Sequence, residues 1–213
     1  VHATQVKSRL LCVRQPHVPH GPLVLNGENL QCLALSVDGT PQAIPDDLKI
    51  VEIHLGDKTQ AVIEVTTQIC PEDNSALMGL FLSQGGLFTQ CEAQGFRRIT
   101  LFPDRPDVMA RYTVRLEADA AQFPVLLSNG NLIEQGRLPG GRHFARWHDP
   151  FAKPSYLFAL VAADLAFADE SAVFQLPFVS LGLSPEGGAS KLLVQQVGYH
   201  HAAALLFTAQ KFD

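Results

Sequence analysis

Apolar and polar residues alternate with period two over long stretches of this chain. Ala61, Ile63, Val65, Thr67 and Ile69 interleave with Val62, Glu64, Thr66 and Gln68. Tyr112, Val114, Leu116 and Ala118 interleave with Arg111, Thr113, Arg115 and Glu117, and residues 49–55 set Val51, Ile53 and Leu55 on one side. Successive strand side chains point to opposite faces, so each segment is predicted to be a strand that offers one face to a core. Between such runs sit Asp38-Gly39, Gly56-Asp57-Lys58, Asn129-Gly130 and Gly140-Gly141. Glycine and asparagine tolerate the positive φ of tight hairpins, so these are predicted turns. Many short strands separated by frequent turns predict a mainly-β fold, an antiparallel β-sandwich or layered sheets. No internal repeat and no low-complexity tract is present.

The pattern changes near Gly182. Ser184-Pro185-Glu186-Gly187-Gly188 reads as a connector. Residues 191–211 then carry helix formers without proline, and Leu192, Val197, Ala204 and Leu205 form an apolar stripe that predicts a short C-terminal helix. Its glycine, Gly198, lowers the helix propensity. The expected division is therefore a β-domain over residues 1–183, followed by a connector and the start of a further element over residues 184–213.

Composition narrows the function classes. Hydrophobic residues make up 46% and charged residues 17%, which permits a sizeable core and excludes general disorder. The formal net charge is -5 and the basic residues are scattered, with Arg97-Arg98 the longest basic feature. That is not an electrostatic footprint for nucleic acid. The apolar run at residues 157–163 is too short to span a bilayer, so no membrane partner is expected. Cys12, Cys32, Cys70 and Cys91 include no C-x-x-C pair. They are expected to be free thiols in a reducing, cytoplasmic setting. The first residue is Val1, and no signal peptide follows it. Such a start suggests processing or truncation.

Catalytic motifs are scarce. None of the eight histidines precedes a glutamate and no two lie four residues apart, so the H-E-x-x-H arrangement that sets two imidazoles on one helix face is absent. His143 and His148 flank Trp147, and His200-His201 are adjacent. Neither pair has ligand geometry, and structural roles are favoured. Nucleophile-elbow and phosphate-loop motifs are also missing. Cys91 lies beside Glu92. A carboxylate disfavours the thiolate, so an inert buried cysteine is expected. Thr89-Gln90-Cys91-Glu92-Ala93-Gln94-Gly95-Phe96-Arg97-Arg98 combines polar groups and a carboxylate with glycine and aromatic neighbours. In strand geometry Gln90 and Glu92 share a face and together suit a cationic amine. On composition alone, a surface strand with a solvated acid explains the same residues. Arg105, in Asp104-Arg105-Pro106-Asp107, can pair with either aspartate or with Glu92.

The Thr89 to Arg98 stretch, with Ile99-Thr100 and Asp104-Arg105-Pro106-Asp107-Val108-Met109-Ala110-Arg111, resembles the aminopeptidase N family of zinc metallopeptidases, in its bacterial-type branch. The resemblance includes Leu25-Asn26-Gly27-Glu28-Asn29-Leu30, Pro124-Val125-Leu126-Leu127-Ser128-Asn129-Gly130-Asn131 and Gly141-Arg142-His143. It continues from Asp149 through Pro154-Ser155-Tyr156-Leu157-Phe158 to Ala162, and is dense over about residues 23–165.

The resemblance implies a β-rich N-terminal domain that packs on a thermolysin-like zinc domain. It implies that Gln90 lines the first specificity pocket and that Glu92 binds the free α-amine of a peptide N-terminus. An amine held there leaves only the first peptide bond over the metal, which would make the parent an exopeptidase. The family's G-A-M-E-N loop, its H-E-x-x-H motif and its downstream glutamate ligand are absent from these 213 residues. No catalytic residue and no cofactor is therefore expected in this chain, and zinc is expected in a full-length parent. Residues 184–213 then become the start of a truncated catalytic domain, and the chain alone is expected to be inactive. The alternatives are a stand-alone, non-catalytic peptide- or protein-binding β-module and, more remotely, a hydrolase built on Cys91.

Overall fold

The computed structural model describes residues 2–16 and 20–164, together with the backbone of 174–175 and 211–212. Two compact units divide the chain, Val1–Leu165 and Ala166–Asp213. The connector expected at residues 184–188 lies outside the described residues.

The first unit is built of antiparallel strands. Strands β1 (Thr4–Val13), β3 (Gln31–Val37), β4 (Thr40–Pro41) and β6 (Gln60–Ile69) form a sheet in the order β1-β6-β3-β4. Strands β2 (Leu23–Leu25) and β5 (Val51–Ile53) form a two-stranded sheet. A third sheet has the order β10-β13-β8-β7, from β7 (Gly79–Ser83), β8 (Gly86–Gln90), β10 (Val125–Ser128) and β13 (Leu160–Ala163). A fourth has the order β11-β12-β9, from β9 (Ala110–Asp119), β11 (Asn131–Arg137) and β12 (Arg142–Lys153). The mainly-β, antiparallel expectation therefore holds. In the second unit β14 (Phe174–Gln175) pairs with β15 (Lys211–Phe212). The predicted C-terminal helix lies outside the described residues, except that Lys211 is in β15 rather than in a helix.

The alternation determines which side chains go inward. In β6 the odd-numbered residues from Ala61 to Ile69 are buried, and in β9 the even-numbered residues turn inward while Arg111, Thr113, Arg115, Glu117 and Asp119 stay exposed. The predicted turns are in place: Asp38, Gly39, Gly56, Gly130, Gly140 and Gly141 all have positive φ. At Gly130 a side chain would also collide with backbone, since a Cβ would sit 2.2 Å from the His148 carbonyl oxygen.

Two hydrophobic clusters result. One gathers Leu25, Leu35, Val51, Ile53, Ala61, Ile63, Val65 and Leu101. The other gathers residues of the third and fourth sheets around Phe96, Phe102, Tyr112 and Phe158. Phe96 meets Phe102 and Phe158 edge-on, with ring centroids 4.8 and 5.0 Å apart. That geometry sets ring edges against π faces and adds to the area the rings bury. The segment between β8 and β9 crosses from one cluster to the other, because Leu101 belongs to the first while Phe96, Ile99 and Phe102 belong to the second.

Leu101 is fully buried at that crossing. Leu101→Ala is expected to lower the unfolding free energy by about 2–5 kcal/mol, through lost burial and the cavity left behind. Urea unfolding followed by Trp147 fluorescence measures it. A loss well under 1 kcal/mol would show that the two clusters do not meet through this residue.

Candidate functional site

Strand β8 carries the site to its position. It pairs with β7 in the register Gly79↔Gln90 to Ser83↔Gly86, and with β13 through Phe88↔Val161 and Leu87↔Ala162. Its far end is tied twice more: the Thr89 hydroxyl accepts the Leu160 amide at 2.8 Å and donates to the Leu160 carbonyl at 3.3 Å. The strand stops at Gln90, and residues 92–95 form a turn that runs into a single 3-10 turn, Phe96–Arg98. Gln90 and Glu92 are therefore not alternate residues of one strand, as their spacing predicted. They are brought together differently, since the Gln90 side-chain amide donates to the Glu92 carbonyl at 3.2 Å. The Glu92–Ala93 peptide bond is cis.

The turn folds back because Gly95 has no side chain. A Cβ there would lie 2.3 Å from the Gln90 carbonyl oxygen and 2.9 Å from the Cys91 Cα, while the Gly95 amide donates to the Cys91 carbonyl at 2.8 Å. Any other residue would open the turn and displace Glu92.

Beyond the turn the chain is held by buried polar bonds. Asp104 is 1% exposed, and its carboxylate takes the Arg97 Nε at 2.9 Å, the Arg97 backbone amide at 3.2 Å and the Ser155 hydroxyl. Arg97 also donates from Nη2 to the Asp104 carbonyl at 2.9 Å. A buried carboxylate is tolerated only when paired and hydrogen-bonded. Thr67 is fully buried and donates to the Ile99 carbonyl at 2.9 Å, and the Glu28 amide donates to the Arg97 carbonyl at 3.0 Å. Arg98 pairs with Glu28. Asp104, Arg97 and Ser155 were not candidate site residues on sequence. Asp104 and Ser155 lie 51 positions apart, so no local spacing announces their bond.

Among the described residues, the arginines that follow the turn each have a partner. Arg97 takes Asp104 and Arg98 takes Glu28. Arg105, which could have paired with Asp104, Asp107 or Glu92, takes Asp107. Glu92 is exposed, and its carboxylate has no ion pair or hydrogen bond among the described residues. Cys91, next to it, points inward and is 2% exposed. Burial, together with the nearby Asp104 carboxylate, pushes its thiol up to about 12. A thiol so held stays protonated at neutral pH and is a poor nucleophile.

The described residues do not fit a zinc site. No group of three or more His, Cys, Asp or Glu among them could hold a metal ion. His143 is bonded to the Phe123 carbonyl at 2.7 Å and His148 to the Thr113 hydroxyl at 2.9 Å, so the pair flanking Trp147 serves the strands. Among the described residues no helix is long and apolar enough to cross a membrane.

Residues 25–157 match the sequence profile of the Peptidase M1 N-terminal domain. Residues 156–213 match that of Enoyl-CoA hydratase/isomerase. Aminopeptidase N of Caulobacter vibrioides is 51% identical over 168 residues, 78% of this chain and 19% of that protein. Aminopeptidase N of Escherichia coli is 44% identical over 151 residues, 69% of this chain and 17% of that protein. The crystal structure of Legionella pneumophila aminopeptidase A in complex with aspartic acid superposes with a TM-score of 0.71 at 34% identity, covering 81% of this chain and 20% of that one. An M1 zinc metallopeptidase from Deinococcus radiodurans shares the fold, with a TM-score of 0.64 at 18% identity over 81% of this chain and 39% of its own. The chain thus spans under a fifth of the length of these curated relatives. On the profile match and the identities to aminopeptidase N, the chain belongs to the Peptidase M1 family and carries its N-terminal domain.

Proposed function

We propose that this domain is the substrate-recognition part of a zinc-dependent aminopeptidase that removes N-terminal residues from peptides. In this reading Glu92 receives the free α-amine and Gln90 borders the pocket for the first side chain. The observation that carries it is the uncommitted carboxylate of Glu92. Among the described residues, the arginines that follow it in the chain, Arg97, Arg98 and Arg105, are each paired with another acid, which leaves Glu92 open to an external ammonium. An ammonium transferred out of water needs a carboxylate partner, and one held on a fixed backbone loses less freedom on binding. Gln90 contributes by holding the Glu92 carbonyl, which limits the rotation of that residue's backbone.

The zinc of such an enzyme would be supplied by its other domains, because the residues described here do not form a metal site. This chain on its own is accordingly proposed to be inactive. Its natural partners are a peptide N-terminus and the catalytic domain of the parent. Four cysteines without a disulfide among them fit a reducing compartment, and the cytoplasm is the proposed location.

The main test uses a complete enzyme in which residues 1–163 replace the corresponding domain of the Caulobacter relative. Glu92→Ala should lower kcat/KM for an aminoacyl amide on the order of 10- to 100-fold, about 1.5–3 kcal/mol for a hydrogen bond to a charged group. Zinc content should stay unchanged. Lost zinc, or unaltered kcat/KM, would remove Glu92 from amine recognition. The alternative of a hydrolase built on Cys91 makes an opposite demand. With its thiol held near 12, Cys91 should resist iodoacetamide in the folded chain at pH 7.5 and react once the chain is unfolded. Rapid native labelling at Cys91, read by peptide mass, would revive the thiol mechanism.

A further inference from the structure

We infer that the chain is composite: an M1-type β-unit that ends with strand β13 is joined to a segment of different ancestry, related to enoyl-CoA hydratases and isomerases, so that residues 166–213 are not the opening of a zinc domain. Three observations converge on the junction. The two family matches overlap by two residues, one ending at residue 157 and the other starting at residue 156. The chain separates into compact units immediately afterwards, between Leu165 and Ala166. Among the described residues, every strand of the third sheet lies upstream of that point. Strand β13 lies inside it, with Val125↔Ala163 to Ser128↔Leu160 on one side and Phe88↔Val161 and Leu87↔Ala162 on the other. Ala162 and Ala163 are both 4% exposed.

The seam is hard to see in sequence for a physical reason. Leu160-Val161-Ala162-Ala163 is a short, small, apolar run, and such a run satisfies an interior strand in almost any sheet. The apolar stretch therefore continues smoothly from one segment into the next. Within the second unit, β14 and β15 pair with each other.

The composite organisation has a functional consequence. Gln90, Glu92, Gly95, Arg97, Asp104 and Ser155 all lie in the first unit, upstream of the junction. The amine-recognition element is therefore complete without residues 166–213. That segment is dispensable for it.

Limited proteolysis of the full chain, with fragment masses read by mass spectrometry, tests the junction without any assay of activity. Exposed connections between compact units are cut first. The expected result is a resistant fragment that ends between Ala163 and Phe174. Its thermal unfolding, followed by Trp147 fluorescence, should stay within about 2 °C of the full chain. A resistant fragment that ends within residues 184–188 would overturn the inference, because residues 166–183 would then belong to the β-unit. A second measurement addresses ancestry. Two grafts onto the remainder of Caulobacter aminopeptidase N are compared, one ending at Ala163 and one carrying all 213 residues. The longer graft should lose on the order of 100-fold in kcat/KM, as misplaced catalytic parts do. Equal activity of the two would overturn the composite reading. Inactivity of both would count against the aminopeptidase reading alone, since the proteolysis result still decides the junction.

Discussion

The structure around the site depends on one buried carboxylate. Asp104 lies at the point where the chain leaves the crossing segment, and it binds Arg97 at the start of that segment and Ser155 from the far end of the unit. Asp104 is 1% exposed, and a carboxylate buried this far is tolerated only with such partners. Removing one partner from such a pair typically costs about 3–5 kcal/mol, because the other charge is left buried and alone. The bond fixes the distance between the 3-10 turn and the segment leading to β9. The turn that carries Glu92 is then held from both sides, by strand β8 before it and by the Arg97–Asp104 pair after it.

Packing and polar bonding reinforce each other along this segment. Leu101 reaches one core while Phe96, Ile99 and Phe102 reach the other, so the two clusters share a single piece of backbone. The backbone itself is bonded to three other elements: Thr67 holds Ile99, Asn26 pairs with Phe102 in an isolated bridge, and Ser8 bonds Thr100. Local backbone held this way has little freedom to lose when a ligand arrives. An exposed carboxylate on rigid backbone, with neighbouring cations neutralised, is a reasonable design for recognising an ammonium. An acid bridged to a neighbouring arginine would first have to give that partner up.

Much of the fold was legible in the sequence, because period-two patterning and turn residues are local signals. Strands β6 and β9 and the Asp38-Gly39 and Gly140-Gly141 turns follow directly from them. Strand β1 was missed: its inward residues Thr4, Val6, Ser8, Leu10 and Cys12 are only half-buried and mix polar with apolar, so the alternation carries little contrast. The Gln84-Gly85 hairpin turn was missed as well, since glutamine at φ 48° is uncommon and gives no turn signal. The candidate site was suggested only by family resemblance. Composition favoured a solvated acid at Glu92, and the residues that fix it, Gly95, Arg97, Asp104 and Ser155, act through tertiary contacts that no spacing rule reaches. The boundary expected at residue 183 rests on the Pro-Gly-rich connector, a compositional signal, and lies outside the described residues.

The central claim is that the turn after β8 presents a carboxylate to a free α-amine. Its most direct test is an NMR titration of the ¹⁵N-labelled chain with L-leucinamide, with N-acetyl-L-leucinamide as the uncharged control. The account predicts amide shifts confined to residues 89–97 with the free amine, and none there with the acetylated compound. Equal shifts from both compounds, or shifts elsewhere with none near Glu92, would contradict it.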